Sequence, residues 1–72
     1  MNRLKDLRED KDLFQKDIAK ILNIAQTTYS GYETGNREMS YELLIKVALF
    51  YNTSIDYILG LTNHKEPYPR KK

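Results

Sequence analysis

Apolar residues recur at helical spacing through most of the chain, and the interruptions divide it into five short helices. A first helix over about residues 2–11 turns Leu4 and Leu7 inward and leaves charges of alternating sign outside. A second, about two turns long and opening at Gln15, carries Ile18, Ala19, Ile21 and Leu22 as one buried stripe, with Gln15, Lys16, Asp17 and Lys20 in water. Ala19 offers only a methyl group, so another helix can approach it closely at a steep crossing. Asn23 tolerates the left-handed conformation that ends a helix, and Ile24 plugs the turn that follows. Gln26 then opens a third helix containing Tyr29, Tyr32 and Glu33, stopped by Gly35. A fourth spans about residues 40–51 with Ser40 as its cap. The fifth starts near Ser54, places Asp56 and Tyr57 in its first turn and stops at Gly60. Beyond Leu61 the text TNHKEPYPRKK has two prolines and no stripe. The expected organisation is one domain over residues 1–62 and a tail over 63–72, with Tyr68 placed to lie on the domain.

The stretch from Gln15 to Gly35, QKDIAKILNIAQTTYSGYETG, resembles the Cro and lambda-repressor-like helix-turn-helix family, also called the XRE family. In that pattern a Gln opens the second helix, an Ala follows four residues later, and Tyr-Glu-x-Gly closes the third. Gln15, Ala19, Tyr32, Glu33 and Gly35 match it. The likeness continues through Ser40, Leu44, Ala48, Asn52, Ser54, Ile55, Asp56, Leu59 and Gly60, and covers about residues 4–60. It implies an all-α, compact five-helix lambda-repressor-like domain whose helix-turn-helix is formed by helices 2 and 3. It also implies a regulator that binds double-stranded DNA, with repression as the family default. In the family, an Arg of the first helix pairs with the signature Glu beneath the DNA-facing surface, here Arg8 and Glu33. The same resemblance makes Gln15 a phosphate clamp that reaches toward the reading helix, and turns Thr28 toward a neighbouring helix or a phosphate.

Three positions depart from the pattern. Phe14 and Ala25 stand where the family has Ser or Thr caps, each substitution costing about 1 kcal/mol. For Phe14, packing on Ile18 as a hydrophobic staple would offset the loss, while Asp12 and Gln15 offer an earlier capping arrangement. Gly31 stands where relatives often carry a long polar residue, and a glycine in a helix interior costs roughly 1 kcal/mol against Ala. Either its bare backbone approaches DNA closely or it is a tolerated surface glycine.

A helix reads the major groove with polar residues of its N-terminal end and outer face. Gln26, Thr27, Ser30 and Gly31 occupy that surface. Gln pairs bidentately with adenine, and Thr offers a hydroxyl plus a methyl suited to thymine. Phosphate contacts come from helix N-termini and the loop after the reading helix, which assigns Gln15, Lys16, Asn36 and Arg37, and the resemblance adds Thr28. Pairing of Arg37 with Glu38 or an acid of the fourth helix is the competing reading.

Composition narrows the picture. At 72 residues the core is thin, so packing or dimerisation must supply stability. No cysteine is present, which removes disulfides and thiolate metal sites and suits a reducing cytoplasm. The apolar run from Leu43 to Tyr51 contains Lys46 and is too short for a bilayer, and MNRLKDLRED lacks the apolar block of a signal peptide, so a cytoplasmic protein is expected. Of the net charge of +2, Lys65, Arg70, Lys71 and Lys72 against Glu66 place +3 on the last eight residues, leaving residues 1–64 at −1. Phosphate affinity therefore depends on where the charges sit, not on their sum.

His64, the single histidine, falls in the tail, and neither a phosphate-cradling glycine loop nor a clustered ligand set accompanies it. No enzyme, cofactor, metal or small-molecule ligand is expected. Tyr29, Tyr32 and Tyr51 fall at core spacing, which argues against stacking on single-stranded bases. The fourth helix, YELLIKVALFY, has more apolar surface than its core stripe of Leu44, Val47, Ala48 and Tyr51 uses. Tyr41, Ile45 and Leu49, with Tyr57 and Leu61, form a candidate second surface for a homodimer on an inverted-repeat operator. Docking of the tail would also cover it. A protein-binding adaptor that keeps the helix-turn-helix as scaffold and uses this surface is the alternative function.

Overall fold

The computed structural model describes residues 2–69 and contains α1 (Leu4–Asp10), α2 (Gln15–Leu22), α3 (Gln26–Thr34), α4 (Tyr41–Tyr51) and α5 (Ile55–Ile58). Among the described residues there is no strand, and no helix is long and apolar enough to cross a membrane.

Four of the five helices stop by the same device. Asp12, Asn23, Asn52 and Gly60 each take a positive φ, of 56°, 59°, 53° and 80°. After each, the next amide reaches back five residues: Leu13 to the Arg8 carbonyl at 3.1 Å, Ile24 to Ala19 at 3.0 Å, Thr53 to Ala48 at 2.9 Å and Leu61 to Asp56 at 2.8 Å. This closes orphan carbonyls of the last turn and bends the chain sharply. Asn and Asp tolerate the left-handed region because their short polar side chains bond locally. Ser40 and Ser54 cap the starts of α4 and α5 by accepting from the Leu43 and Tyr57 amides at 3.2 and 3.0 Å.

Leu4, Leu7, Ile18, Ala19, Leu22, Tyr29, Val47, Ala48, Tyr51 and Ile58 form one buried cluster, with every helix contributing. Ile24, Tyr32, Met39, Leu43 and Leu44 pack around it, and Ile24 fills the α2–α3 turn as its sequence position predicts. Ala19 is 3% exposed within this cluster, where side chains are close-packed.

Three expectations require correction. Ile21 is 45% exposed, so the α2 stripe narrows to Ile18, Ala19 and Leu22; on so short a helix its neighbours cover less than four positions. Phe14 is 67% exposed and makes no staple. Asp17 does the capping instead, its Oδ2 accepting from the Phe14 amide at 2.8 Å, while the Phe14 ring lies 5.7 Å from Lys16 Nζ. Asp12 forms no cap for α2, because its left-handed backbone is what terminates α1 one turn earlier.

The segment after α5 is tied back to both ends of the fold. Arg3 stacks on the Tyr57 ring at 4.2 Å and donates to the Tyr57 carbonyl at 2.9 Å, to Asn63 Oδ1 at 2.7 Å and to the Thr62 carbonyl. Thr53 donates its hydroxyl to the Lys65 carbonyl, and the Tyr68 hydroxyl donates to Asp56 Oδ2 at 2.8 Å. Pro67, Tyr68 and Pro69 share a groove with Ile45 and Leu49. The basic residues Arg70, Lys71 and Lys72 lie outside the described residues.

Because Ala19 is buried in the core cluster, Ala19→Leu is expected to cost about 2 kcal/mol through overpacking. Thermal unfolding by circular dichroism should then show a midpoint roughly 10 °C lower.

Candidate nucleic-acid interface

The position of α3 is set by a buried ion pair. Arg8 Nε and Nη2 donate to Glu33 Oε2 and Oε1 at 2.6 and 3.3 Å, and the two side chains are only 12% and 6% exposed. This bidentate geometry fixes the carboxylate in a plane as well as at a distance. Arg8 also donates Nη1 to the Leu13 carbonyl at 2.9 Å, so one guanidinium joins α1, the α1–α2 turn and α3. Gln15 Nε2 completes the arrangement by donating to Glu33 Oε1 at 3.2 Å, tying in the first residue of α2. At the other edge of α3, Asn2 Nδ2 donates to the Tyr32 carbonyl at 2.8 Å.

Burial disfavours the Glu33 carboxylate, but Arg8, the nearby Tyr29 hydroxyl and Gln15 outweigh it and hold the carboxyl below its usual range. The same partner raises Arg8, which stays a cation throughout. Burial pushes the Tyr29 phenol far up and the Tyr51 phenol up to about 12, so both stay neutral. Their hydroxyls are enclosed near this pair; neither makes a hydrogen bond of regular geometry among the described residues, but the Glu33 carboxylate beside Tyr29 adds to the rise of its phenol. Both tyrosines are core residues, as their spacing predicts; the Tyr29 hydroxyl lies toward the Glu33 carboxylate, while the Tyr51 hydroxyl has no polar partner among the described residues.

On the opposite side of α3 the surface is polar. Gln26, Thr27 and Thr34 are exposed, while Thr28, Ser30 and Gly31 are half-buried. Gln15, Lys16 and Gln26 line one shallow depression with Arg8 and Phe14, so the first turns of α2 and α3 open on the same surface. Neither Phe14 nor Ala25 supplies a side-chain acceptor for the amides of those turns. Asn36 and Arg37 follow the C-terminal turn at Gly35 and are exposed; Arg37 pairs with neither Glu38 nor an acid of α4 among the described residues. The space a side chain at residue 31 would fill is not open: Arg37 occupies it.

The candidate second surface is uneven. Tyr41 is 84% exposed, Ile45 49%, Leu49 55% and Leu61 74%. Tyr57, in contrast, is half-buried beneath Arg3. Phe50 and Leu59 also expose part of their side chains. The apolar character of the fourth helix was a signal for Phe50; Leu59 was hidden by its place at the end of a four-residue helix.

A family model described as helix-turn-helix matches residues 4–58. The chain is 36% identical over 70 residues to the uncharacterized HTH-type transcriptional regulator YobD of Bacillus subtilis (strain 168), covering 97% of this chain and 62% of the relative. It is 37% identical over 70 residues to the HTH-type transcriptional regulator AnsR of the same organism, covering 97% and 60%. To the cryptic phage CTXphi transcriptional repressor RstR of Vibrio cholerae it is 33% identical over 54 residues, covering 75% and 49%. The chain therefore belongs to the helix-turn-helix family of Cro and lambda-repressor (XRE) type, a family of DNA-binding transcriptional regulators. It spans about three-fifths of the length of YobD and AnsR.

Removing Glu33 leaves a buried guanidinium without its counter-charge. Glu33→Ala is expected to lose about 3 kcal/mol in urea unfolding; an unchanged transition midpoint would show the pair to be dispensable. A carboxyl held low when folded stabilises fully above its ordinary value of 4.5 and loses that share as pH falls below it. Over that acid window Glu33→Gln should therefore lose stability less steeply than wild type, measured by urea titrations at successive pH values.

Proposed function

We propose that this chain binds double-stranded DNA as a transcriptional regulator, laying α3 in the major groove. The observation that carries this reading is the polar first turn of α3, with Gln26 and Thr27 exposed, held from behind by the Arg8–Glu33 pair. Gln26, Thr27 and Ser30 read base edges, Gln26 with the donor and acceptor that suit adenine. Gln15, Lys16, Thr28, Asn36 and Arg37 face phosphates. The first-turn amides of α3, uncapped by any side chain at Ala25 and with no acid in that turn, add donors aligned with the positive end of its helix dipole. A cap oxygen there would compete with phosphate, so the family departure at Ala25 suits the role.

The operator is a short inverted repeat bound by a homodimer, and the outcome is repression, as the name of RstR describes for that relative. Exposed Tyr41, Ile45, Leu49 and Leu61 supply an apolar face whose burial would pair two reading helices about one DNA turn apart. The protein acts in the cytoplasm and performs no catalysis. The same exposed face would serve a protein-binding adaptor, and that second reading makes the opposite prediction about the α3 surface.

Selection from randomised duplexes at a fixed salt concentration should enrich one sequence. Gln26→Ala combined with Thr27→Ala should abolish the preference and leave salt-dependent non-specific binding, a loss on the order of 100-fold or more for the preferred site. An adaptor would enrich nothing and keep partner binding in that double variant. Sedimentation of the protein with its selected duplex should give two chains per site; one chain at every concentration would remove the dimer.

A further inference from the structure

Gly31 and Arg37 form a single unit. Gly35, at φ 85°, turns the chain back after α3, and the Arg37 amide then donates to the Gly31 carbonyl at 3.1 Å. Thr34 donates its hydroxyl to the same carbonyl at 3.2 Å, which holds the fold-back against the last turn of the helix. The Arg37 side chain crosses Gly31 itself. A Cβ at residue 31 would stand 3.0 Å from Arg37 Cδ, 3.1 Å from Cγ and 3.5 Å from Cβ; the first two are tighter than ordinary contact, so the arginine stem would have to move off the helix to admit it.

Gly31 follows Tyr29 by two positions, about 200° around the helix. Tyr29 is buried, so the surface the arginine stem crosses is the outer one, and Thr27, one turn earlier, lies on it too. The guanidinium has no hydrogen-bond or ion-pair partner among the described residues.

We infer that Gly31 is a positioning residue: the missing side chain is the cradle that lays Arg37 across the DNA-facing side of α3, where its guanidinium neutralises a phosphate at the groove rim. This rests on the DNA-binding reading above. It assigns the glycine a role different from close backbone approach, and explains why a residue that weakens a helix stands in its interior. An arginine arriving from the following loop takes the place of a long polar side chain from the helix.

A double-mutant cycle tests it. Affinity for the selected duplex and for a scrambled duplex is measured for wild type, Gly31→Ala, Arg37→Ala and the double variant, across a salt series and alongside melting temperatures. At about 0.1 M salt each single variant should bind both duplexes roughly five- to tenfold more weakly, with the salt slope reduced by about one phosphate equivalent. The double variant should bind no more weakly than Arg37→Ala alone, and Gly31→Ala should melt no lower than wild type. Wild-type affinity in Gly31→Ala would overturn the cradle. Losses that multiply in the double variant would also overturn it, in favour of direct backbone approach. Both outcomes leave the DNA-binding reading standing, provided that Gln26→Ala with Thr27→Ala abolishes preference. Failure of the wild type to enrich any duplex would sink that reading and the cradle with it.

Discussion

The bidentate contact between Arg8 and Glu33 is the constraint on which the remaining geometry depends. A surface helix of nine residues has little stability of its own, and α3 buries only Tyr29 completely. Apolar burial alone would leave its rotation loosely specified. The guanidinium supplies what the thin core cannot, because two parallel hydrogen bonds define orientation, and Gln15 adds a third constraint from α2. Buried ion pairs are poor sources of net stability but costly to break. That asymmetry suits a helix whose orientation, more than its stability, matters.

The rest of the molecule economises on length. Repeated use of one left-handed turn at Asp12, Asn23, Asn52 and Gly60 lets four helices end abruptly within a chain of 72 residues. Each turn closes backbone carbonyls that a short helix would otherwise leave open. The cost is concentrated on the polar side of α2 and α3, where Phe14, Ala25 and Gly31 each give up local helix stability at a surface turned toward the nucleic acid in the proposed function. Such local conflicts between propensity and structure mark functional surfaces more often than packing faults.

Helix locations, the α2–α3 turn, the capping serines and the core identity of Tyr29 and Tyr51 were legible from spacing and residue type alone. The link between Arg8 and Glu33 was not; it came from family resemblance, since 25 residues separate them. Exposure of Ile21 was misread because periodicity reports which face a residue occupies and not how far its neighbours extend over it. Phe14 was misread for a related reason: an apolar residue before a helix suggests a staple, but Asp17 satisfies the amide and leaves the ring in solvent.

Local signals in the chain locate the helices and most of their ends, at Asn23, Gly35, Ser40 and Ser54, because caps, left-handed residues and apolar spacing act over fewer than about five positions. What lies across Gly31, the grip of Arg3 on Tyr57 and the chain after it, and the meeting of Tyr68 with Asp56 arise from packing. Those contacts join side chains whose neighbourhood exists only once the helices have packed, and no local preference encodes it.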